Sequence, residues 1–216
     1  MLSKAQIAAL YRRRAGLYDW SANLYYLLGY REHAYRKRAV AALGLRPGDT
    51  VVEIGCGTGL NFALLQQGVG AAGRIIGVDL TDAMLEQAAR RVAKRNRSNI
   101  ELVQSDAAAF EFPTPVDAVI STYALTMVPE YDTVIRNAAQ ALRPKGRFVV
   151  LDLKKPDAAP AWLVRFGAWT AGPFGVSLEL ADRRPWESIA RYFENYTFTE
   201  LYGGATYIAS GEAPRG

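Results

Sequence analysis

The most informative stretch of this 216-residue chain is Val51-Val52-Glu53-Ile54-Gly55-Cys56-Gly57-Thr58-Gly59-Leu60-Asn61. It reads as a buried strand that ends near an acid and then turns through three glycines spaced G-x-G-x-G. A second apolar strand closes at Asp79, 20 residues after Gly59. A glycine turn offers backbone amides, and an acid at the next strand end offers a carboxylate, where doubly wound sheets hold nucleoside-bearing cofactors. The stretch therefore predicts a cofactor site of this type.

The residues around the glycines discriminate between cofactors. A dinucleotide fingerprint, G-x-G-x-x-G, needs a small residue at position 60, and this chain has Leu60 there. Glu53, two residues before Gly55, is unfavourable beside a pyrophosphate and favourable beside a cationic amino acid. S-adenosylmethionine (SAM) carries both an ammonium and a sulfonium, so the loop predicts a SAM site and disfavours a nicotinamide oxidoreductase. The alternative is a glycine turn that serves only tight packing.

Length and composition limit the class of protein. The chain is long enough for one domain with a sizeable core, and half of its residues are hydrophobic. Cys56 is the only cysteine, so the sequence offers neither an intrachain disulfide nor a Cys-based metal site. The uncharged run from Phe166 to Leu178 has 13 residues and is too short to span a bilayer. Since no secretory h-region is present either, we expect a cytoplasmic protein without a metal.

Charge is spread unevenly along the chain. Residues 1–46 carry nine Lys/Arg and two Asp/Glu, a net charge of +7, whereas residues 47–216 have a net charge of −2. We therefore predict a basic helical N-terminal lid or extension at residues 1–46 and the cofactor-binding domain at residues 47–216. Arg12–Arg14 and Arg36–Arg38, with interspersed apolar residues, suggest a peripheral contact of this segment with an anionic membrane. The alternative is a lid that packs on the sheet while its arginines stay solvated.

Strand and helix patterns alternate along the domain. Five β-α units followed by a terminal hairpin predict an α/β fold with a doubly wound, seven-stranded, Rossmann-like sheet and ligands at the carboxyl ends of its strands. The predicted strands are Thr50–Ile54, Arg74–Val78, Ile100–Gln104, Asp117–Ser121, Arg147–Leu153, Phe198–Tyr202 and Thr206–Ala209.

The chain resembles class I SAM-dependent methyltransferases over nearly all of its length. Four segments carry the resemblance in the family order: Val51–Gly59, Gly77-Val78-Asp79-Leu80 with Met84-Leu85, Val103-Gln104-Ser105-Asp106-Ala107, and Leu142-Arg143-Pro144-Lys145-Gly146-Arg147. The resemblance implies SAM as cofactor, S-adenosylhomocysteine as product, and the class I methyltransferase fold with a helical N-terminal lid.

The resemblance also implies roles for residues of the site. The Gly55–Gly59 loop would face the methionine part, Asp79 would accept the ribose hydroxyls, and Asp106 would bind the adenine amino group beside Ala107. For Asp106 the alternative is a helix cap, and for Cys56 a small packing residue. The expected cofactor-binding residues are Glu53, Gly55, Cys56, Gly57, Gly59, Asn61, Asp79, Leu80, Met84, Asp106, Ala107 and Ser121.

Catalytic candidates are fewer, because methyl transfer depends largely on alignment of the acceptor. Tyr18, in a Tyr-Asp pair similar to one in related lids, and Tyr123, after strand 4, are expected to orient the acceptor, and a tyrosine ring face can hold a cation. His33 is a candidate base, because a quinol needs help towards its anion. The alternatives are tyrosines that pack on the sheet and a histidine at the surface.

Two branches of the family compete for the acceptor. Lipid-amine N-methyltransferases, of betaine lipids or phosphatidylethanolamine, look closer at Tyr18-Asp19 and at Ser121–Pro129, and we expect methylation of a lipid head-group amine. The alternatives are ring C-methylation in menaquinone or ubiquinone biosynthesis, where the usual Arg-Asn is here Thr126-Met127, a soluble acceptor, or a non-catalytic SAM-binding module. A nucleic-acid partner is not expected, since Ser121-Thr122-Tyr123-Ala124 lacks a Pro-Pro-Tyr pattern.

Overall fold

The computed structural model describes residues 30–95, 97–156 and 182–215. These residues form five α-helices and seven β-strands, with short 3-10 turns at Leu125–Met127 and Tyr202–Gly204. In chain order they are α1 (Glu32–Ala42), β1 (Thr50–Ile54), α2 (Phe62–Val69), β2 (Arg74–Asp79), α3 (Asp82–Ala93), β3 (Ile100–Gln104), β4 (Val116–Thr122), α4 (Tyr131–Ala141), β5 (Leu142–Leu153), α5 (Pro185–Tyr192), β6 (Glu194–Leu201) and β7 (Thr206–Glu212).

The seven strands make one sheet in the order β3-β2-β1-β4-β5-β7-β6. Strands β1 to β5 are parallel, and β7 runs antiparallel between β5 and β6. The strand order reverses between β1 and β4, whose carboxyl ends lie side by side, with Ile54 paired to Ser121. Such a reversal opens a crevice at the carboxyl ends of the strands, which is where this class of sheet binds its ligands. The predicted α/β fold and the terminal antiparallel pair are confirmed.

The sheet separates two apolar layers. In β1, Val52 and Ile54 point to a layer that includes residues of α4 and α5, whereas Val51 points to the layer that holds α1 and α2. All three valine and isoleucine side chains are fully buried. Because both faces are covered, the central strands are continuous apolar runs, which is the pattern that made them predictable.

Helix α1 is the described part of the predicted N-terminal lid. Ala39, Val40 and Leu43 are buried and belong to the apolar layer under β1 and β5. This helix therefore packs on the sheet as part of the domain core. Residues 1–29 lie outside the described residues, so the lid that was expected for residues 1–46 and its boundary with the domain stay predictions.

Strand β5 begins earlier than predicted. Its ladder with β4 joins Val116 to Leu142 and then skips to a pair between Ala118 and Arg147. The intervening Pro-Lys-Gly segment forms a turn inside the strand, with Lys145 at φ 64°. Lys145 N donates to the carbonyl of Ala213, so the far end of the chain holds this turn in place.

The uncharged run from Phe166 to Leu178 lies outside the described residues. Among the described helices, none is long and apolar enough to cross a membrane.

Candidate active site

A cavity opens at the carboxyl ends of β1, β2 and β4. One wall is formed by the glycine loop after β1 and by the strand-end acids Asp79 and Asp106. The opposite wall is formed by the segment after β4, from Tyr123 to Pro129, and by Arg36 from α1. We call these the acidic wall and the β4 wall. They lie on the two sides of the reversal in strand order, where this class of sheet binds its ligands.

The three glycines of the loop serve different purposes. A Cβ on Gly55, at φ 69°, would lie 2.2 Å from Cβ of Ala124 on the opposite wall. A Cβ on Gly59 would lie 2.5 Å from the ring of Phe62. Gly57, at φ 53°, lines the cavity and would meet nothing within 4 Å. Gly55 and Gly59 are therefore required by packing as well as by backbone conformation, whereas Gly57 leaves the backbone open to a ligand.

Asp79 ties the glycine loop to the end of β2. Its Oδ2 accepts the backbone N–H of Gly57 at 2.9 Å, and its Oδ1 accepts the N–H of Thr81 at 2.9 Å. Burial raises the pKa of this carboxyl above its usual value, and the two backbone bonds oppose the rise. The carboxylate is thus fixed in place at the cavity wall before any ligand arrives.

Glu53 is a buried acidic side chain at the base of the loop. Its side chain is almost fully buried, and its Oε1 accepts a hydrogen bond from Nδ2 of Asn61 at 2.6 Å. Its Oε2 is buried without a hydrogen-bond partner among the described residues. Burial raises the pKa of this carboxyl to about 7, against the opposing effects of Asn61 and Arg36. A buried, unsatisfied carboxylate oxygen is costly, and a bound cation would relieve that cost.

Asp106 follows β3 and lines the same wall. Its Oδ1 accepts the N–H of Ala108 at 3.0 Å, so it closes a local turn. No helix begins at this turn in the described part of the chain, so the alternative of a helix cap is wrong. Ala107, Leu80 and Met84 complete an apolar surface next to it. A carboxylate beside an apolar surface suits a flat, nitrogen-rich ring with a polar edge.

Tyr123 dominates the β4 wall. Its backbone is in the left-handed region, at φ 55°, and its N–H donates to the carbonyl of Leu151 at 2.8 Å. The hydroxyl of Tyr30 donates to the hydroxyl of Tyr123 at 2.8 Å and lies 3.0 Å from Oγ1 of Thr206. Burial raises the pKa of both tyrosines, so both hydroxyls stay protonated. The Tyr30 bond leaves Tyr123 its own hydrogen to donate.

Arg36 is the residue of this cavity that the sequence analysis placed wrongly. It was predicted as a positive charge for a membrane surface, but it is only 6% exposed and lines the cavity. It pairs with Glu32 at 2.8 Å, and its Nη1 donates to Oγ1 of Thr122 at 2.6 Å. Its guanidinium carbon lies 4.9 Å from the ring centroid of Tyr123. The helical spacing of positions 36, 39, 40 and 43, all on the buried face, is the signal that would have found it.

Comparisons with known proteins agree with this geometry. A family model described as "Methyltransferase domain" matches residues 51–146. The demethylmenaquinone methyltransferase of Lactococcus lactis is 30% identical over 191 residues, which cover 85% of this chain and 75% of that protein. The chain belongs to the class I SAM-dependent methyltransferases.

Two further relatives are consistent with this assignment. The ubiquinone/menaquinone biosynthesis C-methyltransferase UbiE of Pseudomonas putida is 31% identical over 153 residues, which cover 70% of this chain and 59% of that protein. The crystal structure of a SAM-dependent methyltransferase from Aquifex aeolicus superimposes with a TM-score of 0.58 at 20% identity, and the match covers 82% of this chain and 89% of that one. The Aquifex aeolicus structure shows the fold, and the Pseudomonas putida protein adds a relative in quinone biosynthesis.

SAM is therefore the cofactor of this methyltransferase, and the cavity fits it. The unpartnered oxygen of Glu53 suits its ammonium, and the open backbone at Gly57 leaves space for its chain. Asp79 and Asp106 offer two carboxylates for hydroxyl and amino donors. When bound, the cofactor supplies an electrophilic methyl group on its sulfonium.

The structure brings most of the predicted site residues of the methyltransferase together. The predicted residues that line the cavity are Gly55, Cys56, Gly57, Asp79, Leu80, Met84, Asp106, Ala107 and Tyr123. Four others lie behind its surface: Glu53, Gly59, Asn61 and Ser121. Cys56 is buried, with Sγ 3.8 Å from the carbonyl of Gly57, and burial raises the pKa of its thiol. Ser121, fully buried at the end of β4, is among the supporting residues.

Of the three catalytic candidates, Tyr123 lines the cavity. His33 lies on the exposed face of α1 and is not among the residues that line it. Tyr18 lies outside the described residues. The segment after β4 had no predicted role at the residues that line the cavity, because a short apolar segment after a strand has no distinctive pattern. These residues are Ala124, Met127, Val128 and Pro129.

Proposed function

We propose that this methyltransferase transfers the methyl group of SAM to a ring carbon of a reduced quinone. The relatives in demethylmenaquinone and ubiquinone/menaquinone biosynthesis, at 30% and 31% identity, carry the proposal. They favour the quinone acceptor, which the sequence analysis gave as the alternative, over the lipid-head-group amine. A neighbour that methylates an amine, the phosphoethanolamine N-methyltransferase of Haemonchus contortus, matches at 15% identity and shares the fold alone.

The β4 wall supports an aromatic, uncharged acceptor. Met127, Val128 and Pro129 give it an apolar surface of the kind that packs on a flat ring. Among the described residues that line the cavity, the carboxylates are Asp79 and Asp106, both on the acidic wall. A cationic head group would thus meet no anion on the described part of the β4 wall.

The ring face of Tyr123 also disfavours an ammonium. A tyrosine ring holds a cation through its negative face, which was the reason to expect an amine there. In this structure the guanidinium of Arg36, 4.9 Å from the ring centroid, already lies over Tyr123. A second cation at this position would be repelled by the first.

The tyrosine pair offers what a quinol needs. Carbon methylation requires electron density on the ring, which grows as a ring hydroxyl approaches its anion. Tyr123, held by the Tyr30 hydroxyl at 2.8 Å, can donate its hydrogen to the oxygen that carries the developing charge. In the transfer a ring C–C bond forms, the methyl–sulfur bond breaks, and the ring loses one proton. The acceptor must be in the reduced form, since the oxidised quinone ring is electron-poor.

For the cofactor we propose the roles that were predicted from the sequence. Asp79 accepts the ribose hydroxyls, Asp106 accepts the adenine amino group, and Glu53 faces the ammonium. Their support is geometric: two of them line one wall, and Glu53 has a buried oxygen without a partner among the described residues. A peripheral membrane contact stays a prediction, and it would suit an acceptor with a long apolar tail.

The proposal is tested by incubating the protein with methyl-labelled SAM and two acceptors in detergent, a demethylated prenyl naphthoquinol kept reduced and phosphatidylethanolamine. We expect label in the quinol only, on a ring carbon as located by NMR of the product. The oxidised quinone is the matched control and should remain unlabelled. Label in the phosphatidylethanolamine, or on a quinol oxygen, would contradict the proposal. So would the absence of label from both acceptors in a sample that binds SAM.

A further inference from the structure

The charge of the helices is concentrated on one side of the sheet. Helices α1, α2 and α3 cover the same side, where Ala39, Leu65 and Ala88 are buried in one apolar layer. Helix α2 has no charged residue, whereas the stretch from Asp82 to Arg97, which contains α3, has five basic and two acidic residues, a net charge of +3. Helices α4 and α5, on the other side, each have one acid and one base. The excess of positive charge therefore belongs to the side of α1 to α3.

The basic residues of α3 lie close together. A shallow depression on its outer side is lined by Gln87, Arg90, Arg91, Lys94 and Arg95. Arg90 and Lys94 are four residues apart, as are Arg91 and Arg95, and like charges at this spacing repel each other on a helix. The negative end of the helix dipole favours one or two cations in the last turn, which does not account for five between positions 90 and 97. The cluster is therefore unfavourable in the free protein, and a bound polyanion would relieve the repulsion.

The protein itself supplies no acidic partner to this cluster within the described residues. Arg90, Lys94 and Arg95 are exposed, and in residues 30–95, 97–156 and 182–215 none of the three forms an ion pair. By contrast, Arg147, on β5, pairs with Glu212 at 2.8 Å. The three cations are thus available to an external partner.

We propose that α3 and α1 together form a contact of this protein with an anionic lipid surface. Helix α1 contributes Lys37 and Arg38, which are exposed, whereas its third basic residue, Arg36, is buried. Each Lys or Arg near an anionic membrane adds to the attraction, so several together suffice for a reversible contact. We call the five exposed residues the cationic face: Lys37, Arg38, Arg90, Lys94 and Arg95.

The composition of the cationic face favours a lipid surface over a nucleic acid. Its cations lie on two helices that pack at different strands, with the uncharged α2 in the same layer, so the charge is spread over a broad surface. In the described part of the chain the one exposed large hydrophobic side chain is Tyr202, on the turn after β6, so the face offers no exposed ring on which a base could stack. The choice of a lipid surface also rests on the proposed function, because a prenylated quinol resides in a membrane.

The position of the cavity fits this contact. Arg36 of α1 and Met84 of α3 line the cavity, so both helices begin beside it. Helix α1 then runs to the opposite edge of the sheet, where the carbonyl of Ala42 accepts a hydrogen bond from Nη1 of Arg147. A protein that lies on a membrane with the cationic face would therefore hold its cavity beside the lipid surface, where a lipid-soluble acceptor can enter.

The test measures binding to vesicles by cosedimentation. We expect the protein to bind phosphatidylcholine vesicles that contain about one third phosphatidylglycerol, and to lose most of this binding between about 0.1 M and about 0.5 M NaCl. Vesicles of phosphatidylcholine alone should not bind it. The triple variant Arg90→Gln/Lys94→Gln/Arg95→Gln should weaken affinity for the anionic vesicles roughly 100-fold, and glutamine preserves the helix propensity of these positions.

A matched control removes the same charge from the other side of the sheet. Arg136, Arg184 and Arg191 are exposed, on α4 and at α5. The triple variant Arg136→Gln/Arg184→Gln/Arg191→Gln should change affinity for the anionic vesicles less than about threefold, because charges far from the surface are screened by salt.

Turnover separates the lipid contact from the proposed reaction. With the demethylated prenyl naphthoquinol in detergent, the Arg90/Lys94/Arg95 variant should be as active as the unaltered protein. With the quinol in anionic vesicles, the same variant should be slower. Absence of turnover by the unaltered protein in both media would contradict the proposed function and leave the vesicle-binding result standing.

Four results would overturn the lipid contact. The first is no binding of the unaltered protein to the anionic vesicles. The second is an equal loss in both triple variants, which would make binding a matter of net charge. The third is full binding by the Arg90/Lys94/Arg95 variant, which would assign the contact to another part of the chain. The fourth is an RNA oligonucleotide that displaces the protein from the vesicles and loses its own affinity in that variant, which would identify a nucleic acid as the partner.

Discussion

The two walls of the cavity are built in different ways. The acidic wall is a set of hydrogen-bonded groups fixed by backbone contacts, with Asp79 holding the N–H groups of Gly57 and Thr81. The β4 wall has an apolar surface of Ala124, Met127, Val128 and Pro129, with the tyrosine pair and Arg36 as its polar features. A rigid polar wall suits a cofactor that is the same in all members of the family. An apolar wall can be reshaped for a different acceptor by single substitutions. This difference explains why the family assignment identifies the cofactor more firmly than the acceptor.

The largest expected effect is on the acidic wall. Asp79→Ala removes a carboxylate that both holds the glycine loop and faces the cofactor, so SAM affinity should fall roughly 100-fold or more. Calorimetry with SAM measures it, and far-UV circular dichroism checks the fold. Glu86→Ala, which removes an exposed acid from α3, is the control for charge. Equal loss in both variants would mean that the effect is long-range electrostatics.

The second effect lies where the walls touch. Gly55→Ala places a methyl group 2.2 Å from Cβ of Ala124 at φ 69°, and the free energy of unfolding should fall by about 2 kcal/mol. Gly57→Ala, at φ 53° with open space, should cost about half as much. Urea unfolding measures both. The double variant Gly55→Ala/Ala124→Gly should recover part of the loss, and its failure to do so would locate the cost in backbone strain alone.

The third effect is confined to the β4 wall. Tyr123→Phe removes a hydroxyl hydrogen that is available to the acceptor, so kcat should fall about tenfold while the Kd for SAM stays unchanged. Tyr30→Phe should show the same pattern more weakly, because Tyr30 acts by holding Tyr123. Tyr196→Phe, on β6, is the matched control. If Tyr123→Phe weakens SAM binding as much as turnover, the two walls are not separate in function.

The smallest expected effect is the change of SAM affinity with pH. The Glu53 carboxyl has its pKa raised to about 7, and the ammonium of SAM favours its ionised form. Affinity for SAM should therefore drop about fivefold between pH 7 and pH 6. In the ligand-free protein, Glu53 changes stability with pH in the opposite direction. Its carboxyl has a raised pKa in the folded state, so the protonated form favours folding. The contribution of Glu53 to the free energy of unfolding therefore declines from about pH 4.5 to about pH 7.

Glu53→Gln separates this group from others that titrate nearby. Asp152, buried with its pKa raised to about 6, contributes to stability with the same sign. The difference between the unaltered protein and Glu53→Gln, in calorimetry and in melts from pH 5 to pH 8, isolates Glu53. If the variant retains the full pH dependence of SAM binding, Glu53 does not face the ammonium.

The sequence predicted the acidic wall better than the β4 wall for a physical reason. Glycine spacing and strand-end acids are local patterns, so Gly57, Asp79 and Asp106 were identified from residues close to them in sequence. The position of Arg36 depends on Thr122 and Asn61, which are distant along the chain, and in a run of three basic residues it looked like a surface charge. Likewise, the turn at Lys145 is held by Ala213, which no local pattern reveals.

The place of β7 in the sheet has a consequence for how the protein is made. Strand β5 lies between β4 and β7, and its residues Phe148–Leu151 are fully buried. During synthesis on the ribosome β5 emerges before β7, so it is for a time an apolar edge strand with unpaired backbone groups. Such an edge can pair with another nascent chain. When residues 206–212 emerge, β7 can pair with β5 and cover its exposed edge. This segment therefore protects the chain from aggregation during synthesis, in addition to its place in the folded sheet.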